Sequence, residues 1–190
     1  MDGTNALNEP LFGRNMKIEI KKLNQPSDTD MKIMLKWQND PQIRHLYRWF
    51  KGPEEYQKFV NFEQLKCDLS CDPSTQRYGL YVDESLVGEF SFAFNHHALR
   101  KFDSKTAWIG IVIGEKEFRG RGLGKIAIQY LENEVIAQGG NRIELGVFEF
   151  NPPAIHLYES LGYSRFDVIP DFTWWNEKFW SDYRYEKNLK

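Results

Sequence analysis

Residues 108–130 read W-I-G-I-V-I-G-E-K-E-F-R-G-R-G-L-G-K-I-A-I-Q-Y, and no other stretch restricts the fold as tightly. Lys105 to Ile113 is apolar on both alternating faces, the mark of a strand in the middle of a sheet. The period then changes. Leu123, Ile126, Ala127, Tyr130, Leu131 and Val135 recur at helical spacing, and Gly139-Gly140 stops the helix. Between strand and helix lies Arg119-Gly120-Arg121-Gly122-Leu123-Gly124. Glycines at alternate positions remove Cβ groups, so successive backbone N–H groups can converge on one point. The helix start adds its own unpaired N–H groups and the positive end of its dipole. A buried strand, an anion-binding turn and an amphipathic helix must therefore follow one another. Arg119, Arg121 and Lys125 add mobile positive charge to that turn.

The remaining pattern builds a sheet around this unit. Met16 to Leu23 alternates as a half-buried strand. Ser27 or Asp28 caps a helix from about 30 to 39, which Asp40-Pro41 ends. Gly52-Pro53-Glu54-Glu55 opens a second helix, expected to run to about Cys67, and 68–75 reads as a loop. Strands are expected over 77–82 and 86–95, joined as a hairpin through Asp83-Glu84-Ser85. Arg142 to Phe148 is another strand, 152–161 a short helix, and 163–169 and 180–187 are the last strands. The order β-α-α-β-β-β-α-β-α-β-β predicts one α+β domain over 16–190, a mixed, mostly antiparallel sheet flanked by helices. Residues 1–15 are polar, with Gly and Pro, and read as a flexible N-terminal tail.

Composition narrows the partners. The 190 residues carry 25 basic and 27 acidic side chains, and the pI is about 6.1. The longest clean basic stretch is Lys21-Lys22, which argues against a nucleic-acid partner. The longest apolar run, Trp108 to Gly114, falls far short of the roughly 20 residues a membrane-crossing helix needs. The N-terminus has no apolar leader segment, so a cytoplasmic location is expected. Cys67 and Cys71 are four apart with no His or Cys pair nearby, and read as reduced thiols rather than a metal site.

The anion-binding turn fails two familiar phosphate patterns. A Walker loop would need Gly at 119 and Ser or Thr at 126, where Arg119 and Ile126 stand. The dinucleotide fingerprint begun at Gly120 would need Gly at Lys125. R-x-x-G-x-G does match, at Arg119, Gly122 and Gly124. Read alone, it is also a tight strand-to-helix connection. After the next strand comes Asn151-Pro152-Pro153-Ala154-Ile155-His156-Leu157-Tyr158-Glu159-Ser160-Leu161-Gly162-Tyr163. Together the two segments resemble the acetyl-CoA pyrophosphate loop and the N-x-x-A-x-x-x-Y-x-x-x-G-[FY] segment of the GNAT superfamily of N-acetyltransferases. The resemblance covers about 105–169. Trp37-Gln38-Asn39-Asp40-Pro41 is similar to the ribosomal-protein and aminoglycoside branch, and Tyr47 to Phe50 with Pro53-Glu54-Glu55 faintly resembles spermidine acetyltransferases.

The resemblance implies acetyl-CoA as co-substrate, no metal, and direct attack of an amine on the thioester through a tetrahedral intermediate. Main-chain groups of Ile111, Val112 and Ile113 would pair with the pantetheine arm. The loop Arg119, Gly120, Arg121, Gly122, Leu123, Gly124 and Lys125 would hold the pyrophosphate, with Asn151 and Ala154 at the second helix. Tyr158 aligns with the general acid for the leaving thiolate. The bland alternative for it is a core tyrosine on the helix stripe. Glu89, on the strand face opposite Phe90, Phe92 and Phe94, is the candidate base; its alternative is a solvated strand acid. His96 and His97 read as loop residues and His156 as a helix-surface residue.

The acceptor is expected to be a small polar amine of aminoglycoside or polyamine type. The other readings are a protein N-terminus or a non-catalytic CoA sensor. Trp49, Phe50, Tyr56, Phe59, Phe172, Trp174, Trp175, Phe179 and Trp180 would line its pocket or pack a homodimer interface. Glu54, Glu55, Asp171 and Glu177 would steer a cationic acceptor.

Overall fold

The structure is a computed structural model and describes residues 5–7, 16–23, 25–71 and 73–190. Its strands are β1 (Asn5–Leu7), β2 (Ile18–Lys22), β3 (Gln76–Val82), β4 (Ser85–Phe94), β5 (Thr106–Ile113), β6 (Arg142–Phe148), β7 (Ser164–Trp175) and β8 (Lys178–Asn188). Its helices are α1 (Asp28–Asn39), α2 (Arg44–Tyr47), α3 (Pro53–Tyr56), α4 (Phe62–Ser70), α5 (Leu123–Ala137) and α6 (Pro152–Ser160). All strands join one sheet in the order β1-β2-β3-β4-β5-β6-β8-β7. Only β5 and β6 run parallel, so the expected mixed, mostly antiparallel α+β sheet is the observed one. Most of the expected tail over 1–15 lies outside the described residues; within it, Asn5–Leu7 pair with β2.

Each face of the sheet carries its own core. On one, Tyr78, Phe90, Phe92 and Ile109 pack against Leu123, Ala127, Leu131 and Val135 of α5. On the other, Met34 and Trp37 of α1 and Leu65 of α4 pack against Tyr81 and Leu86. Ser27 caps α1 by accepting from the Asp30 amide at 3.1 Å. Asp83 and Glu84, at φ 46° and 70°, form the tight turn between β3 and β4.

Two sequence expectations need correction. The helix expected from 52 to 67 is two helices, α3 and α4. Arg44 donates to the carbonyls of Tyr56 and Lys58 at 2.8 and 2.7 Å, which withdraws acceptors the helix would need. Asn61 then caps α4 afresh, accepting from the Gln64 amide at 2.8 Å. The final strands are also longer than read: β7 and β8 continue into a ribbon that turns at Asn176 and Glu177, both in the left-handed region.

The feature that makes a site is a parting of strands. β5 and β6 pair only through Thr106–Trp108 against Arg142–Glu144. Beyond that they diverge, so the β5 edge from Ile109 to Ile113 has no strand beside it on the β6 side.

Candidate active site

A cleft of about 1430 Å³ opens where β5 and β6 part. At one end lies the glycine turn. Gly120 and Gly122 sit at φ 69° and 83°, a region where side chains are strained, and a Cβ at either would meet nothing within 4 Å. The space above the turn is therefore open. By helix geometry the amides of Leu123, Gly124 and Lys125 have no carbonyl partner inside α5, so they face that space unpaired. Gly124 packs close to α6: a Cβ there would come 2.9 Å from the end of the Leu157 side chain.

Arg119 departs from the sequence reading. Its Nε donates to the Ile113 carbonyl at 2.9 Å and another guanidinium nitrogen donates to Gly114. It is not mobile charge; it staples the turn to the end of β5. Lys125 is exposed and lines the cleft, whereas Arg121 is exposed outside its wall, and Leu123 contributes its amide while its side chain is buried under α5. The same strand end is braced from α1. A Cβ on Gly114 would fall inside the Trp37 ring, and Trp37 donates to Glu115 at 2.9 Å. The segment 37–41 thus supports the turn's shape rather than contacting the cleft.

Along the middle of the cleft lie Ile111, Val112 and Ile113 on one wall and Asn151, Ala154 and Tyr158 on the other. Asn151 caps α6, its side chain accepting from the Ala154 amide at 3.4 Å. Tyr158 is buried beside Tyr163 and Tyr185, and burial pushes its phenol above the ordinary value. Its core position and its place on the cleft wall are both real.

The far wall collects residues from distant elements. Glu89 of β4 lines the cleft one strand away from Val112, its register partner. Burial raises its carboxyl above the usual range, and Arg77 acts in the opposite direction. By surface area it is half-buried on the cleft wall. Asp182 and Arg184 of β8 also reach the cleft, paired at 2.8 Å. Burial pushes Asp182 up to about 6, against the pull of Arg184. Neither was read from the sequence. The usable signal was Gly146 in mid-strand, since a Cβ there would come 2.8 Å from the Asp182 carboxylate.

His96, His97 and His156 line the cleft as well, His96 stacked on Trp108 with centroids 5.6 Å apart. The structure places them in a loop and on the helix surface, as expected, and all three also line the cleft. The loop bearing His96 and His97 is fixed from below by fully buried Glu144, which accepts from the amides of Arg100 and Lys101 at 2.7 and 3.1 Å.

Of the nine aromatics expected at the acceptor pocket, Trp49 and Phe172 line the cleft, with centroids 6.0 Å apart. Phe50 is wholly buried, in contact with Tyr56, which meets Trp174. Trp175 stacks on His45 at 4.3 Å and, with Trp180, surrounds Phe150. Phe59 and Phe179 are 72% and 46% exposed and lie off the cleft. None of Glu54, Glu55, Asp171 or Glu177 lines it; the acids that do are Glu89 and Asp182. Cys67 and Cys71 are exposed on and just beyond α4, their sulfurs 3.7 Å apart. No helix among the described residues is long and apolar enough to cross a membrane.

The glycine turn, the parted strands and the α6 tyrosine together form one continuous cleft. The sequence pattern of the acetyltransferase (GNAT) family matches residues 39–163, and the chain belongs to that family. It is 43% identical over 88 residues to an acetyltransferase of Pectobacterium atrosepticum, 46% of this chain and 57% of that protein. An uncharacterised N-acetyltransferase of Bacillus subtilis is 37% identical over 51 residues, 27% of this chain and 32% of its own. The matched stretch thus spans between a third and somewhat over half of these curated relatives. Among solved structures, a spermidine N-acetyltransferase of Vibrio cholerae in complex with CoA and spermine superposes with a TM-score of 0.72. It is 17% identical, over 90% of this chain and 95% of that one. A Salmonella typhimurium protein solved with its cofactor acetyl-CoA gives 0.69 at 16% identity, over 91% and 94%. These likenesses establish a shared fold.

Proposed function

We propose that the chain is an acetyl-CoA-dependent N-acetyltransferase acting on a primary amine of a small polar acceptor. The observation that carries this reading is the continuity of the cleft. It runs from the open amides of the glycine turn, along the unpaired edge of β5, past Tyr158, to Glu89. The residues present fit the co-substrate. The turn offers unpaired N–H groups to a pyrophosphate, and the β5 edge offers amides and carbonyls to the pantetheine arm. Acetyl-CoA, when bound, supplies the activated acetyl group.

The side chains divide the proton work. A free amine must face the thioester, so the acceptor ammonium has to lose a proton near Glu89. An ionised Glu89 accepts it, and its raised pKa brings proton affinity closer to that required at neutral pH. Tyr158 stays protonated, because burial disfavours the phenolate. It therefore stands as the donor for the leaving thiolate. A thiolate in the same dry cleft is also raised in proton affinity, so the two groups move together. A β5 N–H beside the carbonyl would stabilise the oxygen as charge develops on it.

Several features support a small acceptor over a protein one. Trp49 and Phe172 place aromatic faces on the cleft wall, suited to a small cationic amine, and the fold-mate from Vibrio cholerae was solved with spermine. The aminoglycoside-like and ribosomal-protein-like branch remains the finer reading within the family. The deciding experiment is thiol release from acetyl-CoA across a panel of primary amines, with intact-mass measurement of mixed proteins alongside. Release with a small amine is expected. Mass shifts on proteins alone would move the acceptor to a polypeptide, and CoA binding without turnover would make the chain a sensor.

A further inference from the structure

The far wall carries a carboxylate that the transfer chemistry leaves unused. Asp182 and Arg184 of β8 line the cleft and are only 3% and 4% exposed. Arg184 is already committed. One of its nitrogens donates to the Ala98 carbonyl at 3.1 Å, and its guanidinium lies 4.8 and 5.5 Å from the Trp108 and Phe172 rings. Its Nε stands 2.8 Å from Asp182 yet makes no directed hydrogen bond. Arg100, the next cation on the wall, is held by Asp167 at 2.7 Å. Among the described residues, Asp182 thus has one ion-pair neighbour and receives no hydrogen bond. Burial raises its carboxyl to about 6, so it is ionised at neutral pH. A buried carboxylate offers about four lone-pair sites, and leaving them without donors is costly. The ionic group open to the cleft is therefore this carboxylate, not the guanidinium.

The sheet fixes where that carboxylate stands. Trp108 of β5 is level with Glu144 of β6, and the two strands run parallel. Four residues further along each lie Val112 and Phe148, whose antiparallel partners are Glu89 and Asp182. The two acids therefore stand at one height on opposite sides of the parting. Three strand spacings and the parting separate their backbones, at least about 14 Å. They also share a face of the sheet. Their strand neighbours Phe90 and Tyr183 pack with the α5 core, so Glu89 and Asp182 point away from it. Between them, Gly110 and Gly146 sit in mid-strand on the cleft wall, and a Cβ on Gly110 would meet only the Ser91 hydroxyl at 3.7 Å. We propose that Asp182 holds a second ammonium group of the acceptor, which makes the acceptor a diamine: its reacting nitrogen lies over β5 on the Glu89 side and its distal nitrogen at Asp182. This rests on the acetyl-transfer reading above. An ammonium brings three N–H donors and a charge to the empty lone pairs. A hydroxyl brings one donor and no charge, and a second carboxylate meets repulsion. The glycines leave room for a methylene chain between the two nitrogens. Asp182 is thus a specificity-determining residue that acts on the far end of the acceptor, away from the bonds that change.

The test follows thiol release from acetyl-CoA by the full chain with a straight-chain α,ω-diamine, and with the amino alcohol and the ω-amino acid of the same length. For the wild type, kcat/KM should be at least about tenfold higher for the diamine than for the amino alcohol and lowest for the ω-amino acid, with most of the difference in KM. Equal values for the three overturn the proposal, and this arm needs no variant. Asp182→Asn keeps the side chain's size against Gly146, and in it the ratio of diamine to amino alcohol should fall about tenfold. That ratio is internal to each protein. A variant with a damaged cleft loses both rates and keeps the ratio, so an unmoved ratio overturns the assignment to Asp182. If no amine is acetylated by the wild type, calorimetry of the CoA-loaded chain with the diamine decides. Binding that Asp182→Asn weakens at least about tenfold leaves the diamine site standing while the transfer reading falls. No binding, or binding that Asp182→Asn leaves as it was, overturns the site.

Discussion

The two ends of the cleft are built on opposite principles. The glycine turn presents main-chain amides to the cleft, and side chains matter there by being absent or by packing. Gly120 and Gly122 leave open space, Gly124 lets α6 approach, and even Arg119 serves to hold the turn. At the far end the cleft is lined by side chains: Glu89 from β4, Tyr47 from α2, Asp182 and Arg184 from β8, Trp49 from the segment after α2 and Phe172 from β7. One end comes from a few consecutive residues. The other is assembled from elements separated by more than a hundred positions. Main-chain amides offer the same donors whatever the side chains are, whereas the shape and charge of the far end follow from which side chains meet there.

The sharpest way to break this contrast is the one side chain at its centre. Tyr158→Phe removes a hydroxyl and keeps the ring packed against Tyr163 and Tyr185. Steady-state kinetics should show kcat down about 100-fold or more with acetyl-CoA affinity unchanged, the size expected for a lost general acid. An unchanged kcat would make Tyr158 a core residue only. Next in size is Gly122→Val. The substitution forces a β-branched residue into φ 83° and fills the open space above the turn. Calorimetry should show CoA binding weakened at least about tenfold, from strain of roughly 1–2 kcal/mol plus the blocked amides. The far end should be untouched, and retained CoA affinity would show that the turn is not the anion site.

The same contrast explains what could be read in advance. The glycine turn and the 151–163 segment obey fixed spacing, because converging amides and close helix packing demand particular small residues at particular positions. Strands carried by strict alternation, such as Arg142–Phe148, were legible to the residue. The break between α3 and α4 was not, because it depends on Arg44 reaching carbonyls 12 and 14 residues away. Nor was the far end of the cleft. Trp49, Phe50 and Phe59 look alike as letters, yet one lines the cleft, one is fully buried and one is in solvent. Sequence neighbourhood holds no record of which distant strand each ring meets. The decoy acids Glu54, Glu55, Asp171 and Glu177 failed for the same reason, while Asp182 was hidden in a strand that looked merely structural.

Two smaller tests sharpen the comparison on the acceptor side. Trp49→Ala should raise the KM for the amine several-fold, in line with about 1 kcal/mol for an exposed aromatic contact, while the KM for acetyl-CoA stays constant. A change in the second constant instead would erase the division of labour. His45, buried against Trp175, is held below its usual value of 6.5 by burial. The unfolded chain therefore takes up the proton first as pH falls. The stability that neutral His45 contributes is full above about pH 6.5 and is lost as pH drops through its lower folded value. Calorimetry should find Tm falling by no more than about 3 °C from this source, and His45→Gln should flatten that part of the curve.

The smallest expected effect tests which aromatics belong to the site. Phe59 sits beside Arg44, whose guanidinium lies 5.3 Å from its ring, yet 72% of its surface is exposed and it is off the cleft wall. Arg44 has already committed donors to Tyr56 and Lys58 and also faces Phe50 and Tyr56. Losing one exposed ring from that set should cost within about 0.5 kcal/mol, because the guanidinium keeps its other partners. Phe59→Ala should therefore leave both KM values and kcat at wild-type levels while Trp49→Ala does not. Were Phe59→Ala to raise the amine KM as much as Trp49→Ala, the acceptor would have to extend out of the cleft along α3. The far end would then reach beyond the cleft wall, and the contrast between a backbone end and a side-chain end would fail at its outer edge.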